Sequence, residues 1–347
     1  MTQDETNGED RDMILRVEGL KKWFPIRRGL LRRVVGHVKA VDGVDLELAT
    51  GETLGLVGES GCGKSTLVQT LLRLLPPTAG RVHLQRDGFL VDITRMSNAE
   101  LKPFRKEVQI VFQNPAASMN PRLSVFEIIA EPLRIHGVRN RGELETRVQE
   151  LLGAVGLNPV HARRFPGSLS GGQLQRIGIA RALALRPRLI IADEPVSALD
   201  VSVQSKILNL LNELKSAFGL TYLFIAHNMD VVSYLSDRIA VMYLGRIVEQ
   251  GPAEALYRSP HHPYTESLLQ AMLIRHPDHR NANAPLAAGD LPDPARPPSG
   301  CPFHTRCRYA VEKCHRERPE LRQAKEIGRF SACHRSEELS LAGVRAP

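Results

Sequence analysis

A chain of 347 residues, of which 42% are hydrophobic, can bury a full core, and its length suggests roughly two structural units. No apolar run approaches the ~18 residues that span a membrane, and the polar, acidic segment 1–12 is not a secretory signal. The net charge of +8 comes partly from basic residues between Lys21 and Lys39, which indicate a solvated loop or a patch that faces anionic lipid or nucleotide phosphate. None of the usual nucleic-acid-binding modules is present, so we expect a cytosolic protein that does not bind nucleic acid.

Strands are predicted in the first third of the chain, where short apolar runs alternate with glycine-rich turns. Residues 38–48 have the alternating character of a strand with one buried face. The apolar run 53–57 ends at Gly58 and is typical of a buried strand that enters a loop. A helix should follow, with one face formed by Leu67, Leu71, Leu74 and Leu75.

The middle of the chain is predicted to be helical, because apolar residues recur there with the spacing of amphipathic helices. One stripe is formed by Val125, Ile128, Ile129 and Leu133. A longer stripe is formed by Leu144, Val148, Leu151, Leu152 and Val155. Packing in the core is a sufficient explanation for both stripes.

A strand, a helix and a second strand are predicted between residues 189 and 226. Residues 189–192 and 221–226 are continuous apolar runs of the kind found in central parallel strands. The apolar face of the helix between them consists of Val203, Ile207, Leu210, Leu211 and Leu214. This alternation predicts an α/β fold with a parallel sheet. Beyond about residue 287 the composition changes, and four prolines within 292–298 mark a linker.

A phosphate-binding loop follows the strand predicted at 53–57, because residues 58–66 fit the pattern G-x-x-x-x-G-K-[ST]. The loop consists of Gly58, Glu59, Ser60, Gly61, Cys62, Gly63, Lys64, Ser65 and Thr66. Its glycines let successive backbone N–H groups point at phosphate oxygens, and the N-terminus of the next helix adds positive partial charge. We expect Lys64 to reach the β- and γ-phosphates of a nucleotide and the Ser65 hydroxyl to bind Mg²⁺. Cys62 is interpreted as a small filler residue, with an oxidation-sensitive thiol as the alternative.

Two carboxylates, Asp193 and Glu194, directly follow the apolar run 189–192. The carboxyl end of a parallel strand lies beside the phosphate site in folds of this class. Asp193 is expected to hold Mg²⁺, directly or through water, and Glu194 to act as the general base that polarises the attacking water. Solvated acids at a strand end are the alternative, and the phosphate loop upstream favours the nucleotide site.

Residues 169–173 read Leu-Ser-Gly-Gly-Gln and resemble the signature motif of the ATP-binding cassette (ABC) ATPases. The alternative interpretation, a phosphate-loop kinase, does not account for this motif. The other motifs of the ABC family are also present and in the expected order. Gln113 resembles the Q-loop glutamine, Asp200 ends a segment similar to the D-loop, and His227 resembles the H-loop histidine. Phe24 resembles the aromatic residue that stacks on adenine, although Trp23 is adjacent.

This resemblance implies an ATP site that is divided between two subunits. One subunit would contribute the phosphate loop, Mg²⁺ ligands at Ser65, Gln113 and Asp193, and a catalytic set formed by Lys64, Gln113, Glu194 and His227. The opposite subunit would present its signature residues to the γ-phosphate, namely Ser170, Gly171, Gly172 and Gln173. ATP would thereby hold two subunits together, and hydrolysis would release them.

The resemblance also implies a fold and its divisions. The fold would be an α/β phosphate-loop NTPase core of the RecA-like type with an antiparallel β subdomain, a helical subdomain and a small cysteine-containing extension. A flexible tail would cover 1–12, and the ATP-binding core would comprise 13–113 and 177–255. The helical subdomain with the signature would cover 114–176, and the extension would cover 256–347.

Three further stretches resemble a subgroup of the family, the importers of oligopeptides, dipeptides and nickel. They are residues 113–122, 259–265 and 300–307. The subgroup implies an ATPase subunit that couples ATP hydrolysis to uptake of di- or oligopeptides, on the cytoplasmic face of the cell membrane. Its partners would be a second, identical or paralogous ATPase subunit, two transmembrane permease subunits and, indirectly, an extracytoplasmic binding protein. An importer of nickel or another small solute is one alternative, and an ABC ATPase that acts on DNA or ribosomes is another.

Four of the five cysteines lie near the C-terminus, at Cys301, Cys307, Cys314 and Cys333. In a cytosolic protein such a cluster more often binds metal than forms disulfides. Four thiolates can hold Zn²⁺ or a [4Fe–4S] cluster, and the importer subgroup implies the cluster. Four free thiols are the third alternative, and the nearby histidines are substitute ligands: His304, His315 and His334.

Overall fold

The computed structural model describes residues 13–29, 32–275 and 290–344. Contacts within the chain divide it into two compact units. The first unit comprises the described residues of Met1–Leu48, Thr53–Arg95 and Ala226–Pro347, and the second comprises Ala49–Glu52 and Met96–Ile225. The domain boundaries predicted from the sequence differ from this division and stay a prediction. Within the described ranges, no helix is both long enough and apolar enough to cross a membrane.

The strands and helices alternate along much of the chain. The strands are β1 (Met13–Arg28), β2 (Arg33–Ala49), β3 (Thr53–Val57), β4 (Ala79–Arg86), β5 (Phe89–Asp92), β6 (Val108–Val111), β7 (Leu189–Asp193), β8 (Thr221–Ala226), β9 (Arg238–Tyr243), β10 (Arg246–Pro252), β11 (Arg322–Gln323) and β12 (Phe330–Ser331). The helices are α1 (Lys64–Leu71), α2 (Asn98–Glu107), α3 (Val125–Ile135), α4 (Arg141–Ala154), α5 (Gly171–Leu183), α6 (Val201–Phe218), α7 (Met229–Leu235), α8 (Ala253–Arg258), α9 (Pro263–Arg275) and α10 (Glu312–Arg316).

The first unit contains two groups of paired strands. One is an antiparallel sheet in the order β2-β1-β4-β5, with Val17 opposite Val82. In the other, β3 runs parallel to β9 with Leu56 opposite Ala240, and β10 pairs antiparallel with both β9 and β12. All five residues of β3 are buried, which explains why the sequence shows a continuous apolar run there rather than alternation.

The second unit is built on the parallel strands β6, β7 and β8, with Ile110 opposite Ile191 and Ile191 opposite Leu223. Its helices begin at well-defined caps. The side chains of Ser97, Ser124 and Ser170 each accept a hydrogen bond from the backbone N–H three residues later. The side chain of that later residue in turn accepts a hydrogen bond from the backbone N–H of the serine. The predicted apolar stripe of α3 is confirmed, because all four of its members are buried.

The helix predicted after the phosphate loop ends earlier than expected. It stops at Leu71, and the chain turns through Arg73 at a φ of 55°. Leu74 and Leu75 lie beyond the helix, and Leu74 is 57% exposed, so their assignment to one helix face with Leu67 and Leu71 was wrong. Pro76 and Pro77 then prevent the helix from resuming, because a proline disfavours the helical conformation of the residue before it and cannot donate a backbone hydrogen bond.

The longer stripes are confirmed with small deviations at their edges. On α4, the side chains of Leu144, Val148 and Leu152 are buried, and Val155 is buried just beyond the helix. Ile207 to Leu214 supply the buried face of α6. The prolines within 292–298 lie in backbone without regular structure, as a linker requires.

Candidate functional site

The predicted phosphate loop of the first unit connects the end of β3 to the start of α1. Gly61 and Gly63 have φ angles of 81° and 111°, which favour glycine. A Cβ atom at Gly63 would lie 2.1 Å from the carbonyl oxygen of Ala40, and one at Gly58 would lie 2.2 Å from that of Met242. The glycines are therefore required by close packing and by backbone conformation, and the loop has the curled form that cradles phosphate.

Lys64 is only 5% exposed and lies over this loop. Its ammonium donates hydrogen bonds to the carbonyl oxygens of Gly58 at 2.7 Å and Glu59 at 3.1 Å. The Ser65 residue at the start of α1 is exposed, so its hydroxyl is accessible. Cys62 is buried, and burial raises the pKa of its thiol despite the nearby Lys64 charge, which favours the filler interpretation.

Two residues far along the chain also hold the phosphate loop, and sequence reasoning did not identify them. The backbone N–H of Glu59 donates to the Tyr264 hydroxyl at 2.8 Å. Its carboxylate accepts hydrogen bonds from both terminal nitrogens of Arg306, at 2.9 and 3.0 Å. The available signal was indirect, because both residues lie in stretches that resemble the importer subgroup.

Phe24 and His227 also lie in the first unit. Phe24, on β1, is 37% exposed, and the Lys22 ammonium lies 5.1 Å from its ring centroid. The neighbouring Trp23 is instead tied down, since its indole N–H donates to Asp42 at 3.1 Å. Phe24 is thus the more accessible ring for stacking on a base. His227 is exposed immediately after β8, and its predicted role stays a prediction.

In the second unit, the structure brings Gln113 and Glu194 together. The side-chain amide of Gln113 donates a hydrogen bond to the Glu194 carboxylate at 2.9 Å. Glu194 adopts a φ of 46°, and its backbone N–H donates to the Ile225 oxygen at 2.9 Å. A positive φ in a residue other than glycine is uncommon and is often found at functional sites. Asp193 ends β7 directly before this turn.

The signature segment forms the N-terminus of α5. Ser170 is the exposed cap residue, and its backbone N–H donates to the Gln173 side chain at 3.0 Å. A Cβ atom at Gly172 would lie 2.7 Å from Val203 Cγ1, so glycine allows α5 to approach α6 closely. Asp200 is the residue before α6. The first turn of α5 therefore presents an exposed helix N-terminus, which favours an anion.

The four C-terminal cysteines line one small pocket in the first unit: Cys301, Cys307, Cys314 and Cys333. Burial raises the pKa of the Cys301 thiol to about 11 and that of Cys333 to about 12, which favours the neutral thiols. Among the described residues, no three or more histidine, cysteine, aspartate or glutamate side chains are arranged to hold a metal ion. The donor atoms suit a cluster or zinc chemically, but their arrangement here is not that of a ligand set.

The curled glycine loop between β3 and α1 in the first unit is typical of phosphate-loop nucleoside triphosphatases, and so, in the second unit, is a glutamine paired with a glutamate beyond parallel strands. Two family models match the chain, the ABC transporter over residues 41–197 and the oligopeptide/dipeptide transporter C-terminal region over residues 248–314. The chain belongs to the ABC transporter ATP-binding proteins, a family of ATPases, and carries the C-terminal region of the oligopeptide/dipeptide type.

Individual relatives agree with this assignment over nearly the full length. The oligopeptide transport ATP-binding protein AppF of Bacillus subtilis is 50% identical over 94% of this chain and 98% of its own. The oligopeptide transport ATP-binding protein OppF of Salmonella typhimurium is 47% identical over 90% of this chain and 94% of its own. A dimeric, post-hydrolysis structure of the ATP-binding cassette MJ0796 with ADP and Pi is 30% identical, with a TM-score of 0.60, over 69% of this chain and 99% of that one.

Proposed function

We propose that this chain is the ATP-hydrolysing subunit of an importer and that it couples ATP hydrolysis to the uptake of di- and oligopeptides. The observation that carries the proposal is the order of two regions in one chain. An ABC cassette at 41–197 is followed by an oligopeptide/dipeptide C-terminal region at 248–314. Relatives that match both regions are named for oligopeptide transport.

The phosphate loop and the two strand-end acids have the following roles in this proposal. The phosphate loop binds the β- and γ-phosphates, with Lys64 supplying positive charge. Mg²⁺ supplies charge neutralisation, and hydroxyl, amide and carboxylate oxygens of the kind it prefers are found at Ser65, Gln113 and Asp193. Glu194 accepts a proton from the attacking water, oriented by the hydrogen bond from Gln113.

The signature residues act on a second cassette. The exposed N-terminus of α5, with the Ser170 hydroxyl and the glycine N–H groups behind it, faces the γ-phosphate bound by the partner ATPase subunit. A solved structure of MJ0796, a bacterial ABC transporter cassette 29% identical to this chain, is dimeric, which supports a paired arrangement of cassettes. His227 of the first subunit contacts the γ-phosphate, and Phe24 stacks on the adenine. ATP binding closes the two cassettes, and hydrolysis opens them.

The remaining partners follow from import. Two permease subunits form the membrane path, and the ATPase pair lies peripherally on its cytoplasmic side. A substrate-binding protein on the other side delivers the peptide. Gln113 contacts Glu194 and lies at the start of the segment that leads to α3. It can therefore transmit the nucleotide state to a permease that contacts this segment.

The proposal is tested by reconstitution. The chain is combined in proteoliposomes with its second ATPase subunit and both permeases, and uptake of a labelled tripeptide is measured with ATP and with a non-hydrolysable analogue. Uptake that requires ATP hydrolysis and is lost in the Lys64→Ala variant supports the proposal. Nickel uptake without peptide uptake assigns the solute differently. ATPase activity stimulated by DNA or ribosomes, and not by the permeases, contradicts transport.

We further propose that the cysteine pocket holds a [4Fe–4S] cluster, with Zn²⁺ as the alternative. Support comes from the four cysteines that line one pocket, three of which lie within the matched oligopeptide/dipeptide transporter C-terminal region, residues 248–314. Iron and acid-labile sulfide in anaerobically purified protein, with broad visible absorption, support the cluster. Zinc without iron supports the alternative, and the absence of both metals leaves four thiols and contradicts the proposal.

A further inference from the structure

The cysteine-containing extension reaches the phosphate loop through one arginine. Arg306 lies in a 3₁₀ turn, His304–Arg306, between the first two cysteines of the pocket. Its two terminal nitrogens donate to the two carboxylate oxygens of Glu59, at 2.9 and 3.0 Å. This is a bidentate, charge-assisted contact, the strongest and most directional kind of ion pair. The two residues are 247 positions apart in the chain.

The contact is sheltered from solvent. The Arg306 side chain is 9% exposed and that of Glu59 is 31% exposed. Burial lowers the pKa of the Arg306 guanidinium, but the hydrogen bonds and charge of Glu59 outweigh burial and raise it above its usual value. Screening by salt is weaker at such a site than at an exposed ion pair.

Aromatic residues fix the position of the guanidinium. Its carbon lies 5.9 Å from the Phe303 ring centroid and 6.0 Å from that of Tyr243. Phe303 and Tyr264 have ring centroids 5.4 Å apart, and the Tyr264 hydroxyl accepts the Glu59 backbone N–H. The extension thus holds Glu59 at its carboxylate through Arg306, while Tyr264 on α9 holds it at its backbone.

We propose that Arg306 is a positioning residue for ATP binding, which acts by fixing Glu59 so that the phosphate loop keeps its curled form. This inference rests on the proposed role of the loop in binding ATP.

Glu59 lies in the phosphate loop at a position where its backbone contacts Lys64 and its side chain contacts Arg306. Its carbonyl oxygen accepts a hydrogen bond from the Lys64 ammonium, and its backbone N–H donates to the Tyr264 hydroxyl, so Glu59 is tied at three points within the loop. A change at the Glu59 side chain therefore reaches both the lysine and the loop backbone. A free Glu59 carboxylate would also place an unpaired negative charge beside the site for an anionic ligand.

The test is the affinity of the full-length chain for a fluorescent ATP analogue with Mg²⁺. Arg306→Gln should weaken binding by about tenfold, which is the effect of losing one sheltered charge-assisted pair. In assembled transporter, KM for ATP should rise while kcat changes by less than about twofold, because the contact does not touch the reacting atoms. Arg306→Lys serves as the second variant if Arg306→Gln does not fold, because it keeps the positive charge but cannot donate to both carboxylate oxygens of Glu59 in the bidentate geometry of a guanidinium.

Arg308→Gln is the matched control. Arg308 lies in the same extension and pairs with the buried Glu266 at 3.0 Å, but not with the phosphate loop. The Arg308→Gln substitution should lower the thermal midpoint of unfolding without changing the affinity for nucleotide. In a Glu59→Gln background, Arg306→Gln should have no further effect on affinity.

Three results overturn the inference: unchanged affinity in both Arg306 variants, equal weakening by Arg308→Gln, or full additivity with Glu59→Gln. Failure of the proposed function looks different. If Lys64→Ala binds the analogue as well as the wild type does, the loop is not the nucleotide site. If Lys64→Ala loses binding while the Arg306 variants retain it, only the present inference is wrong.

Discussion

The amide of Gln113 donates a 2.9 Å hydrogen bond to the carboxylate of Glu194, joining two residues that are 81 positions apart in the chain. The contact follows from the parallel pairing of β6 and β7, whose carboxyl ends lie at the same edge of the sheet. Gln113 follows β6 by two residues, and Glu194 follows β7 directly. The pairing of the two strands therefore brings Gln113 close to Glu194, the residue that we propose as the general base.

Replacing Glu194 by glutamine should reduce ATP turnover by about 10²–10⁴-fold, because the amide cannot accept a proton from water. Nucleotide should still bind, and the closed dimer should accumulate with ATP. Steady-state ATPase assays and size-exclusion chromatography with MgATP measure the two effects. Glu213→Gln, at an exposed position of α6, is the matched control and should retain wild-type turnover. Wild-type turnover in Glu194→Gln would refute its assignment as the base.

Replacing Lys64 by alanine should weaken nucleotide binding by more than about tenfold, since it removes a positive charge from the phosphate site. It also removes the hydrogen bonds to the carbonyl oxygens of Gly58 and Glu59, which help to hold the loop. Equilibrium binding of a fluorescent ATP analogue measures the loss. Lys206→Ala, at an exposed position of α6, serves as a control for the loss of one positive charge. Unchanged binding in Lys64→Ala contradicts its role.

Replacing Ser170 by alanine should separate two roles of one residue. Because Ser170 is a helix cap, the substitution should lower the free energy of unfolding by about 1 kcal/mol, since the backbone N–H of Gln173 loses its partner. As a signature residue, it should also impair ATP-dependent dimer formation. Ser124→Ala provides the matched control, because Ser124 caps α3 with the same reciprocal arrangement. Calorimetry should show similar losses for both, while dimerisation should weaken only in Ser170→Ala. Equal dimerisation of both variants would limit Ser170 to capping.

Local features of the fold could be predicted from the sequence. β3 and β8 were predicted within their observed bounds, because a continuous apolar run of five or six residues is too short for a helix and fits a buried parallel strand. The curled form of the phosphate loop followed from its glycines, of which Gly61 and Gly63 have positive φ angles. Leu74 was misplaced because helical periodicity was extended past Leu71, where the helix ends, and past the turn at Arg73.

Contacts between distant segments were not predictable in this way. The Arg306 to Glu59 ion pair depends on how the extension folds back onto β9 and α9, and no local periodicity records that approach. The same holds for the buried carboxylate of Glu249 on β10, whose partners come from residues 261, 262 and 329. Sequence patterns show which residues are suited to burial, whereas tertiary packing decides which of them meet.

Glu249 and His262 should give the protein opposing dependences on pH. Glu249 is 1% exposed, and burial raises its pKa from an ordinary 4.5 to about 7, against the N–H groups of His261 and His262 and the charge of Arg329. His262 is also 1% exposed, and burial lowers its pKa from 6.5 to about 3. The folded state therefore favours a neutral carboxylic acid and a neutral imidazole.

The contribution of each group to the stability of the folded protein changes with pH in a definite direction. For Glu249, the stabilisation is complete below pH 4.5 and is lost as the pH rises to about 7, since only the unfolded chain ionises in that window. For His262, stability is lost as the pH falls from 6.5 towards about 3, since only the unfolded chain takes up the proton. Between pH 4.5 and 6.5 the two contributions oppose each other, so the wild type should depend weakly on pH there.

Glu249→Gln should remove the Glu249 contribution to the pH dependence of stability and leave that of His262 unopposed. Its stability relative to the wild type should increase between pH 4.5 and 7 by up to about 3 kcal/mol, whatever constant cost the substitution carries. Thermal midpoints of both proteins across this range measure the difference. Glu254→Gln, an exposed carboxylate on the neighbouring α8, should show a constant difference from the wild type. If the Glu249→Gln difference is also constant, Glu249 is ionised in the folded protein and Arg329 outweighs the cost of burial.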